Sequence, residues 1–103
     1  MNLVKFKDVL ENPEKFSGWL YSKSDMLYSD SDVIFYVADI NLTPEAEKQE
    51  REKLLVSGWF SRISAEDVED VVINASEQLV DPSIDELLKA INYYLVNDAF
   101  IEF

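Results

Sequence analysis

The chain of 103 residues contains no cysteine and no histidine, and it has only two glycines and three prolines. The lack of cysteine excludes disulfides, and the lack of both residues excludes the thiolate and imidazole ligands of most zinc sites. A nucleophile activated by an imidazole is excluded for the same reason. We therefore expect a protein that is not an enzyme and that carries no cofactor.

Long apolar runs are also absent. The first seven residues hold no apolar stretch of the length found in signal peptides, and no segment approaches the roughly 20 apolar residues of a transmembrane helix. A chain of this length holds one hydrophobic core. We expect a single domain, residues 1–103, that is soluble and cytoplasmic.

Basic residues are also few. The chain has nine Lys and Arg against 21 Asp and Glu, which gives a net charge of −12. The excess is uneven. Residues 1–63 carry eleven acids and eight bases, a net charge of −3, whereas residues 64–103 carry ten acids and only Lys89, a net charge of −9. Such a surface repels phosphate backbones and anionic membranes, so we expect neither nucleic acid nor membrane as a partner. A basic protein is the expected partner.

The last 40 residues predict a helical hairpin. Ser83 followed by Glu86 is a capping box, and it opens a helix that should end near Asn97-Asp98. Ser64 caps the preceding helix, and a short turn joins the two. The apolar face of the first helix is formed by Val68, Val71, Val72, Ala75 and Leu79, and that of the second by Ile84, Leu87, Leu88, Ile91 and Leu95.

The first 63 residues predict a mixture of short elements. These are a helix over 3–10, strands over 18–23 and 33–39, an exposed helix from Thr43 to Gly58, and a short strand or anchoring loop at 59–63. Residues 99–103 alternate apolar and polar, which makes this tail a candidate third strand. The sequence thus predicts an α+β fold: a small antiparallel sheet packed against the C-terminal helical hairpin and a short N-terminal helix.

A run of acids at the start of the first hairpin helix is the main candidate for a binding site. Like charges three or four residues apart on a helix cost about 0.2–0.5 kcal/mol each, so stability alone does not select them. Two interpretations are open, a solvated helix face and an electronegative surface for a cationic protein. The candidate partner-binding residues are Glu66, Asp67, Glu69 and Asp70, extended by Asp85, Glu86 and Tyr93.

Two further groups of residues have simpler interpretations. Asp25, Asp30 and Asp32 lie in a loop without the glycine and closing glutamate of a calcium loop, so we interpret them as turn formers. The aromatic residues are expected mainly in the core, with Tyr93 at the margin of the apolar stripe. They are Trp19, Tyr21, Trp59, Phe60, Tyr93 and Tyr94.

The segments "SAEDVEDVVINA" and "SIDELLKAINYYLVNDAFIEF", together with the early "FKDVLEN" and "WLY", resemble a family of small acidic bacterial immunity proteins. These belong to contact-dependent growth inhibition and related polymorphic toxin systems. The resemblance touches both ends of the chain, and residues 40–63 do not take part in it. It implies a cytoplasmic protein that binds and neutralises a cognate toxin domain, often a nuclease. It implies no catalytic motif and no particular binding residue.

We therefore expect an immunity protein that blocks a basic toxin domain through its acidic surface. Two alternatives from other classes are a non-catalytic adaptor without a toxin partner, and a DNA mimic that inhibits nucleic-acid-binding proteins.

Overall fold

The structure is a computed structural model that describes residues 2–103. Its centre is a sheet whose neighbouring strands all pair antiparallel. The four strands are β1 (Val4–Lys5), β2 (Trp19–Ser22), β3 (Asp32–Tyr36) and β4 (Phe60–Ser64). Their order across the sheet is β1, β3, β2, β4, so β3 and β2 are the inner strands.

Helices cover both faces of this sheet. They are α1 (Phe6–Glu11), a 3₁₀ turn (Pro13–Lys15), α2 (Pro44–Val56), α3 (Ala65–Gln78) and α4 (Ile84–Asn97). Helices α1, α3 and α4 pack on one face, and α2 lies against the other. The predicted α+β fold, with an antiparallel sheet against a C-terminal hairpin and a short N-terminal helix, is confirmed. Across residues 2–103, no helix is long and apolar enough to cross a membrane.

The larger core lies between the sheet and the three helices α1, α3 and α4. Leu20 of β2 and Val33 of β3 are completely buried in it. Each helix contributes apolar side chains, and the fully buried ones include Phe6, Val68 and Ile91. Leu79, predicted on the apolar face of α3, follows the end of that helix and is not part of this core. Burying a large apolar side chain stabilises a fold by about 1.5–3 kcal/mol, so this core is the main source of stability.

A smaller aromatic cluster lies on the opposite face of the sheet. It is formed by Tyr21, Ile34 and Tyr36, and Leu54 of α2 and Trp59 pack against it. Successive side chains of a strand point to opposite faces, so these residues alternate with those of the larger core. Strand β3 is therefore covered on both faces, as its continuous apolar run predicts.

Helices α3 and α4 form the predicted hairpin, and both begin at the predicted serines. The Ser64 hydroxyl accepts a hydrogen bond from the Asp67 amide at 3.1 Å. The Ser83 hydroxyl accepts from the Glu86 amide at 3.1 Å, and the Glu86 carboxylate accepts from the Ser83 amide at 3.0 Å, which completes the capping box. Helix α4 ends at Asp98, whose φ of 51° is left-handed.

Helix α2 has no buried residue and ends in a Schellman motif. Its N-cap is the predicted Thr43. At its C-terminus, the Trp59 amide donates to the Leu54 carbonyl and the Gly58 amide donates to the Leu55 carbonyl. Trp59 and Leu54 both pack against the aromatic cluster, so this one apolar contact anchors the end of an otherwise exposed helix.

The prediction for the N-terminus was partly wrong. The helix predicted over 3–10 begins only at Phe6, because Val4 and Lys5 form β1 and pair with Val33 and Asp32. The Lys5 ammonium also lies 2.8 Å from the Asp32 carboxylate. Pairing with a distant strand thus overrides the local helical pattern.

The C-terminal tail, a candidate third strand, does not join the sheet, and β4 lies beside β2 instead. After Asp98 the tail runs back along α3. The Gln78 side chain donates to the Ile101 carbonyl at 2.8 Å and accepts from the Phe103 amide at 2.9 Å. Ile101 is buried in the larger core. The tail is therefore held by the Gln78 side-chain amide and by apolar contacts of Phe100 and Ile101 rather than by a strand partner.

Both glycines have positive φ, and only one of them has room for a side chain. A Cβ at Gly18, where φ is +90°, would overlap with the Tyr36 carbonyl oxygen of β3. At Gly58, where φ is +88°, such an atom would have no neighbour within 4 Å. Both positions strain an alanine backbone, and Gly18 adds a steric overlap.

We expect Gly58→Ala to lower the free energy of unfolding by about 1–2 kcal/mol, the cost of a left-handed backbone with a Cβ. Gly18→Ala should cost a further ~1–3 kcal/mol because β3 must shift to relieve the overlap. Urea denaturation of the two variants measures the difference. Equal losses at the two positions would contradict the close approach at Gly18.

Candidate functional site

The four acids of the first two turns of α3 surround the N-terminal end of this helix. Glu66 and Asp70 are exposed, and Asp67 and Glu69 are half-buried on its flanks. Of the ion pairs formed within residues 2–103, one joins Lys5 to Asp32 and two lie along α2. None of them neutralises the acids of α3, so this end of the helix keeps its negative charge.

Trp19 lies at the same end of the molecule, at the start of β2. Its backbone pairs with Tyr36 of β3 on one side and with Ser64, the cap of α3, on the other. Its side chain is 50% exposed, which is unusual for so large an apolar group. One surface depression places Trp19 beside Glu66 and Glu69.

A second depression places Trp19 with Arg62 of β4 and with residues of both hairpin helices, among them Asp67, Tyr94 and Asp98. The Arg62 guanidinium donates to the Asp25 carbonyl rather than to one of these acids. This neighbourhood shows that the C-terminal end of α4 lies beside the N-terminal end of α3, so the hairpin is antiparallel. We call the surface formed by Trp19, Glu66, Asp67, Glu69, Asp70 and Asp98 the acidic Trp19 surface.

Tyr94 lies at the edge of this surface. Its ring packs against Phe100 of the tail, with 5.8 Å between the ring centroids. Burial raises the pKa of the Tyr94 hydroxyl, and the nearby carboxylates of Asp67, Asp98 and Asp70 raise it further. The phenol therefore stays neutral and can donate a hydrogen bond amid negative charge.

The predicted binding residues of α4 do not join the acids of α3. Asp85 and Glu86 lie at the start of α4, one 14-residue helix length from Asp98, or about 21 Å. The Glu86 carboxylate is also engaged by the capping box. Tyr93 is 39% exposed and lies at the same end as Tyr94, about 100° around the helix from it. The seven predicted residues thus occupy two ends of the hairpin.

One ion pair that the sequence of α4 would allow does not form. Asp85 and Lys89 have the spacing of a helical ion pair, but no pair joins them among the residues that the structure covers. The loss is small, because an exposed pair of this kind contributes only about 0.3–0.5 kcal/mol.

Sequence reasoning missed Trp19 and Asp98 as parts of the site. It placed Trp19 mainly with the core aromatics. The alternation of side chains along β2 could have shown that Trp19 lies outside the larger core, because Trp19 and Tyr21 point to the face opposite Leu20. What the sequence could not reveal is that α2 leaves the Trp19 end of this face uncovered.

The loop with three aspartates is tied down by other contacts. Asp32 pairs with Lys5, and this hydrogen bond is the main cause that raises the pKa of the Lys5 ammonium. The Asp30 carbonyl accepts from the same ammonium at 3.2 Å, and the Asp25 carbonyl accepts from the Arg62 guanidinium at 2.6 Å. Throughout residues 2–103, no group of three or more Asp or Glu side chains is arranged to hold a metal ion.

Fold and site together define a small α+β domain with a half-exposed tryptophan beside unpaired acids. The chain belongs to DUF7716, a family described as a domain of unknown function, whose model matches residues 3–103. No curated protein and no solved structure matches the chain.

The raised pKa values of Tyr94 and Tyr36 give a pH dependence that can be measured. Burial is the main cause at both positions, and Glu50 adds to it at Tyr36. The folded state holds these two protons more tightly than the unfolded state, whose tyrosines have a pKa near 10. The free energy of unfolding should therefore fall as the pH rises above about 10 through the two raised pKa values.

Absorbance at 295 nm should show a late-ionising component that Tyr36→Phe and Tyr94→Phe each reduce. A titration unchanged by either variant would contradict this account.

Proposed function

We propose that this protein is an immunity protein that binds a basic toxin domain through the acidic Trp19 surface and thereby neutralises it. The observation that carries the proposal is the juxtaposition of half-exposed Trp19 with the unpaired acids of α3. The resemblance of the sequence to immunity proteins of polymorphic toxin systems supports the same role.

The two components of this surface have different effects on binding. Tryptophan is enriched among residues that dominate binding energy, because it buries a large rigid area and its face attracts cations. Carboxylates around it attract a basic partner over long range and raise the association rate, by up to about 10³-fold at low salt. Trp19 thus governs how long the complex lasts, and the acids govern how fast it forms.

A nuclease is the toxin class that fits this surface best. An enzyme that cleaves nucleic acid must bind phosphates, so its active-site cleft or the rim of the cleft is basic. An acidic surface bound there excludes the substrate. The proposed inhibition is therefore steric and electrostatic, and it needs no chemistry from the inhibitor.

Reversal of three α3 acids, Glu66→Lys, Glu69→Lys and Asp70→Lys, should lower the association rate with the toxin domain encoded by the adjacent reading frame. We expect a loss of at least about tenfold at low salt, because electrostatic steering is removed. A matched control, Glu11→Lys, Glu77→Lys and Glu102→Lys, changes the net charge equally at exposed sites away from Trp19. Stopped-flow fluorescence at two salt concentrations compares the two variants.

Equal effects of both triple variants would show that only net charge matters and would contradict the proposed surface. An adjacent reading frame without a toxin domain would favour the adaptor. Inhibition of many unrelated DNA-binding proteins would favour the DNA mimic.

Trp19→Ala should raise the dissociation rate of the complex by about 30-fold or more, the loss of at least 2 kcal/mol typical of a hot-spot residue. The association rate should change little, since no charge is altered. Trp59→Phe is the control, because Trp59 packs in the aromatic cluster on the far side of Tyr21. Urea denaturation of the free variants checks that both fold. A dissociation rate unaffected by Trp19→Ala would contradict the role of this side chain.

A further inference from the structure

A groove lies between α2 and the aromatic face of the sheet, next to the acidic Trp19 surface. It has a volume of about 470 Å³, within the roughly 300–1,000 Å³ of small-ligand pockets. Trp19 borders it and so connects the two surfaces. The residues that matter for its chemistry are Trp19, Tyr21, Tyr36, Glu47 and Arg51.

The floor of the groove is aromatic and rigid. The rings of Tyr21 and Tyr36 meet edge to face, with centroids 6.3 Å apart and an angle of 74° between their planes. Each residue is only 6% exposed, so packing holds the rings in place. The Tyr36 hydroxyl donates to the Glu50 carboxylate of α2 at 3.3 Å, which ties the wall to the floor.

The wall formed by α2 carries a carboxylate that is only loosely paired. The Arg51 guanidinium lies 3.4 Å from the Glu47 carboxylate, and the two side chains are 50% and 29% exposed. An exposed helical pair of this kind contributes little to stability. Arg51 thus lines the groove beside Glu47 in the free protein, and its guanidinium is held weakly there.

On the same face of the sheet, a lysine of the protein itself lies over an aromatic ring. The Lys23 ammonium lies 5.1 Å from the centre of the Trp59 ring. Aromatic faces with a nearby carboxylate select cations, and a guanidinium fits best because it stacks on rings and bonds a carboxylate with two donors.

We infer that this groove binds an arginine side chain of a protein partner, which displaces Arg51 from Glu47 and stacks against the half-exposed ring of Trp19 above the buried tyrosines. The inference rests on the proposed function only for the source of the arginine. Because Trp19 borders both the groove and the acidic Trp19 surface, one basic partner can cover both. Arg51 then acts as a stand-in for the ligand in the free protein.

The test measures the binding of an acetylated and amidated Gly-Arg-Gly peptide to the ¹⁵N-labelled full chain by NMR titration. The backbone amides of Tyr21, Tyr36 and Glu47 should shift. Arg51→Gln should bind the peptide about twofold or more tightly than the wild type, because the competing cation is gone. Lys48→Gln is the matched control. It removes the same charge from the same helix, where the Lys48 ammonium lies 4.0 Å from the Glu52 carboxylate. Because Lys48 does not line the groove, Lys48→Gln should bind the peptide only about half as tightly as Arg51→Gln.

Glu47→Gln should weaken peptide binding several-fold, and a matched Gly-Lys-Gly peptide should bind less tightly than the arginine peptide. Equal affinity of Arg51→Gln and Lys48→Gln would overturn the inference, as would shifts confined to other parts of the chain. Equal binding of the two peptides would overturn the assignment to arginine. All these variants leave the α3 acids intact, so failure here is distinguishable from failure of the proposed function.

Discussion

The close main-chain approach at Gly18 fixes the arrangement on which the remaining features depend. The Gly18 carbonyl accepts a hydrogen bond from the Ala65 amide at 2.8 Å, while its Cα lies against the Tyr36 carbonyl. Strands β2 and β3 and the first residue of α3 therefore meet at one point. The next residue, Trp19, is placed between the acids of α3 and the groove under α2, so both binding surfaces depend on this junction.

Local patterns were sufficient to predict helices α2, α3 and α4 and the central strand. The caps Ser64 and Ser83 and the apolar stripes are short-range features, and their hydrogen bonds lie within one or two turns. The apolar run of β3 predicts cover on both faces because a strand with one wet face would alternate. The exposed helix α2 likewise follows from its Thr43 cap and its charged interior.

Strand pairing was not predictable in the same way, because it depends on contacts between distant segments. Two residues suffice for β1 only because β3 supplies their partners. Leu20 and Tyr21 of β2 pair with Ile63 and Ser61 of β4, so Arg62 of β4 has no partner in β2 and forms a bulge. No local pattern around Arg62 indicates this bulge. The candidate site shows the same limit. Its acids were visible in the sequence, whereas the tryptophan beside them lies 47 residues before the first of them, Glu66.

The proposed binding surface therefore depends on Trp19 being an exposed ring in a locally negative field. Fluorescence quenching of Trp59→Phe, in which Trp19 is the remaining one of the two tryptophans, tests this directly. At about 0.15 M salt the Debye length is about 8 Å, so only nearby charges act on the quencher. After correction for their efficiencies with free tryptophan, caesium should quench Trp19 more efficiently than iodide. Reversal of Glu66, Glu69 and Asp70 to lysine should remove this preference. Equal quenching by the two ions before the reversal, or poor quenching by both, would contradict the proposed binding surface.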